Sequence, residues 1–283
     1  IAVEEPAFLG AYNTFRSYGA KLAGVPMEED GVDLAALEAV FAAPEKPRFF
    51  YCIPNFQNPT GKTMSLAKRR GVLALARRYG VPVLEDDPYG ELRFAGERVP
   101  SIKSLDDGNN VIYAASFSKI LCPGMRLAFC ACDETLAKSL VVAKQGSDVH
   151  TNVWAQRVCA ELLRTMDMDA HIRAVSAMYG RKAALMAQLL QEKCPQVSFE
   201  MPQGGMFLWA TLPPVVPVPE FVQACLDEKL AVIPGSAFYV DASAPCQGVR
   251  LNFSTPSEDA ICRGVDIMAR VLRKLFGQSV CSV

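Results

Sequence analysis

Two histidines and two tryptophans in 283 residues are few, and no two cysteines are spaced as C-x-x-C. With His150 and His171 alone available, a Cys/His zinc site has little to draw on. Apolar runs are short as well. None approaches the roughly 18 consecutive apolar residues of a membrane-spanning helix. Nor does one sign of charge dominate: 29 Lys and Arg oppose 30 Asp and Glu, a formal net charge of −1. That removes any general argument for nucleic acid or an anionic membrane as partner. The opening residues, IAVEEPAF, carry neither the basic start nor the apolar stretch of a signal peptide.

What is present is an ordinary globular composition, 51% apolar and 21% charged, with length enough to favour two domains. Cysteine is plentiful at ten, mostly in apolar runs such as FYCIP and LAFCACD. There a free thiol behaves as a small hydrophobe, which points to a reduced, cytoplasmic protein. The first residue is Ile, inside what reads as a strand, so a preceding N-terminal portion is expected.

The first half alternates strand-like and helix-like segments. Short apolar stretches at Ile1–Glu4, Lys21–Pro26, Arg48–Ile53, Val81–Glu85, Asn110–Ala115 and Arg126–Ala131 read as buried strands of a parallel sheet. Helical patterns lie between them at Ala7–Tyr18, Asp33–Ala42, Ser65–Tyr79 and Asp133 to about Lys144. Ser65 can cap, and Gly80 can stop, the third of these. Repeated β-α-β order argues for an open α/β sheet covered on both faces. From about Thr151 the texture becomes that of a smaller α+β domain: helices at Val153–Met166, His171–Glu192 and from Ser257, with strands at Val197–Phe199, Met206–Thr211, Ala231–Val232 and Val249–Phe253. The reading is therefore a large domain over residues 1–152 and a small one over 153–283. LPPVVPVPE is read as a surface turn.

Open α/β sheets bind ligands beyond the carboxyl ends of their strands, so the residues following each strand carry the interest. After the third comes PNFQNPTG, residues 54–61, which alone is a turn. After VPVLE comes DDPYG, residues 86–90, whose carboxylates could hold a cation or face solvent. After NVIYAA comes SFSKILCPGMR, residues 116–126, with two hydroxyls, an amine and a guanidinium in one loop. Such a set can cradle a phosphate. Arg250 stands between apolar neighbours in a strand and needs a partner, either a ligand carboxylate or one within the domain. Lys68, Arg69, Arg70, Arg77 and Arg78 read as the solvated face of a helix, and Glu85 and Asp87 as supporting or solvent-facing groups. Neither histidine shows a partner pattern.

Taken together, EEPAF, NPTG, EDDPYGELRF, SFSKILCPGMRLAF, MPQGGMFLW, PGSAFYVDASAP and VRLNFS resemble the fold-type I pyridoxal-phosphate-dependent aminotransferases. Within these the chain is most similar to the 2-aminoadipate/kynurenine aminotransferase group. The resemblance implies a mostly parallel α/β large domain, a smaller α+β domain, and pyridoxal 5'-phosphate as cofactor. Lys119 would hold the cofactor aldehyde as a Schiff base and shuttle the proton. Asp86 would face the pyridine nitrogen, chosen over Asp87 by the D-x-x-Y spacing to Tyr89. Tyr89 and Asn58 would bond the ring's phenolic oxygen, and Ser116, Ser118 and Arg126 would hold the phosphate. Phe8 would stack on the ring, and Arg250 and Asn58 would hold the substrate. Gly204 and Gly205 would let backbone approach near the substrate.

The expected reaction is ping-pong transfer of an amino group between an α-amino acid and a 2-oxo acid, with glutamate and 2-oxoglutarate as one pair, in a homodimer sharing its active sites. Two other readings use the same residues: the aminotransferase-like effector domain of a winged-helix transcription regulator, and a cofactor-dependent lyase. Family members also carry an N-terminal region, before the point where this chain starts, that grips the phosphate and shapes the substrate pocket.

Overall fold

The computed structural model describes residues 1–280, with side chains as far as Phe276. Its larger sheet has seven strands: β1 (Ala2–Glu5), β2 (Ala23–Glu28), β3 (Gly31–Val32), β4 (Phe50–Cys52), β5 (Val83–Asp86), β6 (Val111–Ser116) and β7 (Ala128–Ala131), in the order β3-β2-β1-β4-β5-β6-β7. The five central strands are parallel, and the two edge strands run antiparallel to their neighbours. All the β-α-β connections of the sequence are therefore crossovers that return each strand to the same starting edge. The carboxyl ends of β4, β5 and β6 consequently lie side by side.

Alternation along each strand divides the core. Phe50 and Cys52 of β4 face a layer with α2 (Leu34–Ala42) and α3 (Leu66–Tyr79), built from Leu37, Phe41, Val72, Leu73 and Ala76. Tyr51 and Ile53 point the other way, toward Val3, Tyr12, Phe56 and Tyr89. This is the two-residue period of a pleated strand, expressed as two separate cores. Local signals set the helix ends: Asp33 accepts from the amides of Ala35 and Ala36, Ser65 accepts from that of Lys68, and Gly80 closes α3 in the left-handed conformation at φ +65°.

The second half builds a four-stranded antiparallel sheet, β8 (Ser198–Phe199), β9 (Phe207–Thr211), β10 (Ile233–Pro234) and β11 (Gly248–Asn252), in the order β10-β11-β9-β8. It packs on α6 (Met168–Lys193), α7 (Val218–Asp227) and α8 (Glu258–Val280) through one apolar cluster that includes Leu190, Leu208, Phe221, Val249 and Leu272. Helices α1 (Leu9–Ser17), α4 (Glu134–Ser147) and α5 (Val153–Thr165) complete the chain.

Three expectations need correction. The end of LPPVVPVPE does not remain a turn: Pro217 caps α7 and Pro219 occupies its first turn, where a missing N–H costs nothing, while Val218, Phe221 and Cys225 bury one stripe. The strand placed at Ala231–Val232 pairs two residues later, as Ile233–Pro234. And Arg126–Ala131 yields no buried parallel strand: β7 is an antiparallel edge whose four residues are all exposed.

Candidate active site

The end of β5 carries Asp86, whose Oδ2 accepts a hydrogen bond from the Tyr51 hydroxyl at 2.7 Å. Burial pushes the Asp86 carboxyl up to about 6, with neighbouring Asp87 adding to the rise and the Tyr51 hydrogen bond opposing it. Asp87 turns away. It accepts from the Asn55 amide at 3.0 Å and the Tyr113 hydroxyl at 3.1 Å, so the two adjacent carboxylates are aimed at different neighbours.

Behind both lies Arg69, which is fully buried. Its guanidinium donates to the carbonyls of Met64, Pro54 and Pro100 at 3.0 Å each and to Asn55 Oδ1 at 2.6 Å. The reading of Arg69 as solvated is thus overturned. It occupies the buried stripe of α3 with Val72, Leu73 and Ala76, and the spacing of three to Val72 was the available signal. Glu85 is buried too, accepting from the amides of Ile102 and Lys103 at 2.8 and 2.7 Å, and burial pushes it up to about 6. Neither it nor Asp87 is a solvent group.

Asn58, buried in the turn after β4, joins the two halves of the protein. Its Oδ1 accepts from Arg250 Nη1 at 2.8 Å, and its side chain hydrogen-bonds to Tyr89. Tyr89 is buried, which pushes its phenol up to about 12, and its ring meets Phe207 edge-on at 5.9 Å. Arg250 leaves β11 with its guanidinium 4.2 Å from the centre of the Phe207 ring and 5.0 Å from that of Phe238. Burial lowers its pKa, and its Nε is buried without a partner. No carboxylate of the described residues pairs with it, so a partner within the domain does not account for this arginine.

Lys119 follows β6 in a half-buried turn and, among the described residues, makes no ion pair or hydrogen bond. The loop around it is held by its own polar groups: Ser116 Oγ donates to Leu127 O at 3.3 Å and accepts from the Ser118 amide at 3.1 Å. His171 of α6, without an expected partner, donates a ring N–H to the Ile120 carbonyl at 2.9 Å. Arg126 is exposed, with φ +55°, and donates to Pro123 O at 3.0 Å.

Phe8 precedes α1 and is 39% exposed, its ring lying where a side chain on Gly10 would stand. Asn58, Tyr89 and Arg250 are thus tied into one cluster, while no hydrogen bond links Lys119, Arg126 or Phe8 to it. Gly204 and Gly205 do permit close approach, but of Phe56 and the Leu92 carbonyl, and Gly205 adopts φ +73°.

This donor set matches the cofactor that the sequence implies. It offers an unpaired amine for an aldehyde, a buried carboxylate with one oxygen engaged for a pyridine nitrogen, and two serines with an arginine for a phosphate. The guanidinium with an unsatisfied Nε suits a substrate carboxylate. Residues 1–267 match the family model described as aminotransferase class I and II. The 2-aminoadipate transaminase of Thermus thermophilus is 37% identical over 280 residues, covering 98% of this chain and 70% of its own. Aromatic-amino-acid aminotransferase 1 of Thermococcus litoralis is 34% identical, covering 97% and 67%. The crystal structure of α-aminoadipate aminotransferase from Thermus thermophilus, complexed with N-(5'-phosphopyridoxyl)-L-leucine, superposes with a TM-score of 0.93 at 36% identity, covering 98% of this chain and 72% of that one.

Proposed function

The chain belongs to the class I and II aminotransferases, of fold type I, and we propose that it transfers an amino group between an α-amino acid and a 2-oxo acid with the residues assembled above. The cofactor is pyridoxal 5'-phosphate, which supplies an aldehyde for the substrate amine and a protonated pyridine ring that takes up electrons from the substrate Cα. Lys119 would hold the cofactor through its aldehyde, and its amine would be the base that takes and returns the proton at the substrate Cα. Asp86 would keep the proton on the pyridine nitrogen. Tyr89 and Asn58 would hydrogen-bond the phenolic oxygen, Ser116, Ser118 and Arg126 would hold the phosphate, and Phe8 would cover the ring face.

The observation that carries the reading is Arg250. A half-buried guanidinium flanked by two aromatic rings, with an unsatisfied Nε and no carboxylate partner among the described residues, is costly unless a ligand completes it. Its hydrogen bond to Asn58, which also bonds Tyr89, supports a ligand site beside that phenol. Arg250 would hold the substrate α-carboxylate there, and glutamate with 2-oxoglutarate is the pair we assign. We further assign a large cofactor-binding domain to residues 1–152, a small domain to 153–283, and a homodimer in the reducing cytoplasm. The free thiols of Cys52, Cys159, Cys194 and Cys225, all buried, support the last of these.

The test adds amino acids singly to the cofactor-loaded protein and follows absorbance, 2-oxo acid and ammonia. Transfer predicts 2-oxo acid without ammonia, whereas ammonia release would identify elimination instead. Lys119→Ala should abolish borohydride fixation of the cofactor. Arg250→Ala should lower kcat/KM by about 100-fold or more, with Arg250→Lys between the two.

A further inference from the structure

We infer that Tyr51 is a positioning residue for Asp86, fixing the direction of its carboxylate and keeping it charged toward the cofactor's pyridine nitrogen. The inference rests on the aminotransferase reading and adds to it a group placed behind Asp86, on the neighbouring strand.

Strand register brings the pair together. Tyr51 lies opposite Leu84, so Tyr51, Leu84 and Asp86 share one face of adjacent parallel strands, with Asp86 two residues further along. A tyrosine is long enough to span that diagonal, and its hydroxyl reaches Asp86 Oδ2 at 2.7 Å. The ring cannot swing away: it is 3% exposed and Phe15 meets it edge-on at 5.5 Å and 77°. One carboxylate oxygen is thereby engaged, and no hydrogen bond to the other is found among the described residues.

The surroundings make this single donor decisive. Among the described residues, the titratable groups that act on Asp86 or feel its charge are Glu4 on β1, Tyr51 and, across the sheet, Cys52 on β4, and Asp87 and Tyr89 after β5, none of them cationic. Burial pushes Glu4 up to about 8, so near neutral pH it is uncharged and does not repel Asp86. The thiol of Cys52 and the phenols of Tyr51 and Tyr89 are held neutral by burial. Of the influences that act directly on Asp86, burial and Asp87 favour the protonated form, and the Tyr51 hydroxyl favours the ionised one. A protonated Asp86 could not hold the proton on a pyridine nitrogen. A phenol that stays neutral across the working range serves as a donor throughout it.

The experiment titrates Asp86 by difference infrared spectroscopy in the cofactor-free protein, with Asp86→Asn identifying its band. Two graded changes at position 51 keep the ring and its packing: Tyr51→Phe removes the donor, and 3-fluorotyrosine strengthens it. Tyr51→Phe should raise the Asp86 midpoint by about one unit, and 3-fluorotyrosine should lower it. In the loaded enzyme, the acid limb of kcat/KM should move in the same two directions. A merely structural tyrosine would give no movement, or movement of one sign for both changes, and either result overturns the inference. A shift in the cofactor-free titration supports the contact whatever the protein turns over. A protein that transfers amino groups with an unmoved Asp86 titration overturns the contact and leaves the aminotransferase reading standing.

Discussion

The strand ends carrying Asn58 and Asp86 are built differently from the one carrying Lys119. Around Asn58 and Asp86 the polar groups hold one another in a chain of contacts: Arg69 grips three backbone carbonyls and Asn55, Asn55 grips Asp87, Tyr51 grips Asp86, and Asn58 bridges Arg250 and Tyr89. Around Lys119 the packing is thin. The strand that follows is exposed throughout, α4 buries no residue, and the local cluster holds only Leu127, Ala155 and Cys159 as buried members. The proposed chemistry asks for this difference. Asp86 would act by holding a charge still in a buried place, which demands a fixed frame. Lys119 would have to bind the cofactor, let go and return, and a side chain held by ion pairs could not.

The comparison breaks most easily at Arg69. Arg69→Met keeps the apolar stem but strands the carbonyls of Met64, Pro54 and Pro100 in the core. A loss of about 3–5 kcal/mol is expected in guanidinium unfolding. A loss below about 1 kcal/mol would mean that the frame is not what stabilises this side.

Glu4→Gln sharpens the same side through pH. Glu4 is fully buried, its Oε2 accepting from the Ile53 amide at 3.0 Å and the Gln57 amide at 3.3 Å, and burial raises it from 4.5 to about 8. Between those values the folded protein holds a proton that the unfolded chain has released, so stability falls as pH rises from about 4.5 to 8. Glu85 and Asp86, each near 6, add to this slope only below that pH. Unfolding measured between pH 6 and 8 should show a decline in the wild type that Glu4→Gln removes. An equal decline in both proteins would exclude Glu4 as its source.

On the open side the expected effects are smallest. Lys119→Ala should change unfolding stability by no more than about 0.5 kcal/mol while abolishing cofactor fixation. Ala131→Thr on exposed β7 should change it less still. A large cost at either position would show that this wing is as firmly framed as the other.

Much of this was legible in the residues themselves. Most strand positions followed from short apolar runs, though not the pairing at Ile233–Pro234 or the exposed antiparallel edge at Ala128–Ala131, and helix limits followed from Asp33, Ser65 and Gly80, whose capping chemistry is local. Candidate site residues could be named because four separate motifs fall at strand ends, or opposite them, in the order that the family resemblance implies. Arg69 was hidden because a basic residue among basic neighbours in α3 looks solvated until its acceptors are in place, and these come from residues 54, 55, 64 and 100. Tyr51 was hidden for the same reason: its partner is 35 residues away, and only the parallel register of β4 and β5 brings the two together.

By itself the sequence determined the α/β alternation and the family, and it supplied the amine, carboxylates and guanidinium proposed to carry the chemistry, since these depend on side-chain type and nearest neighbours. Which carboxylate of Asp86 and Asp87 is held by Tyr51, how Asn58 links Arg250 to Tyr89, and that Lys119 stands unpaired were decided only by the tertiary structure. Hydrogen bonds and burial act over a few ångströms of space, and the groups concerned are as much as 192 residues apart along the chain.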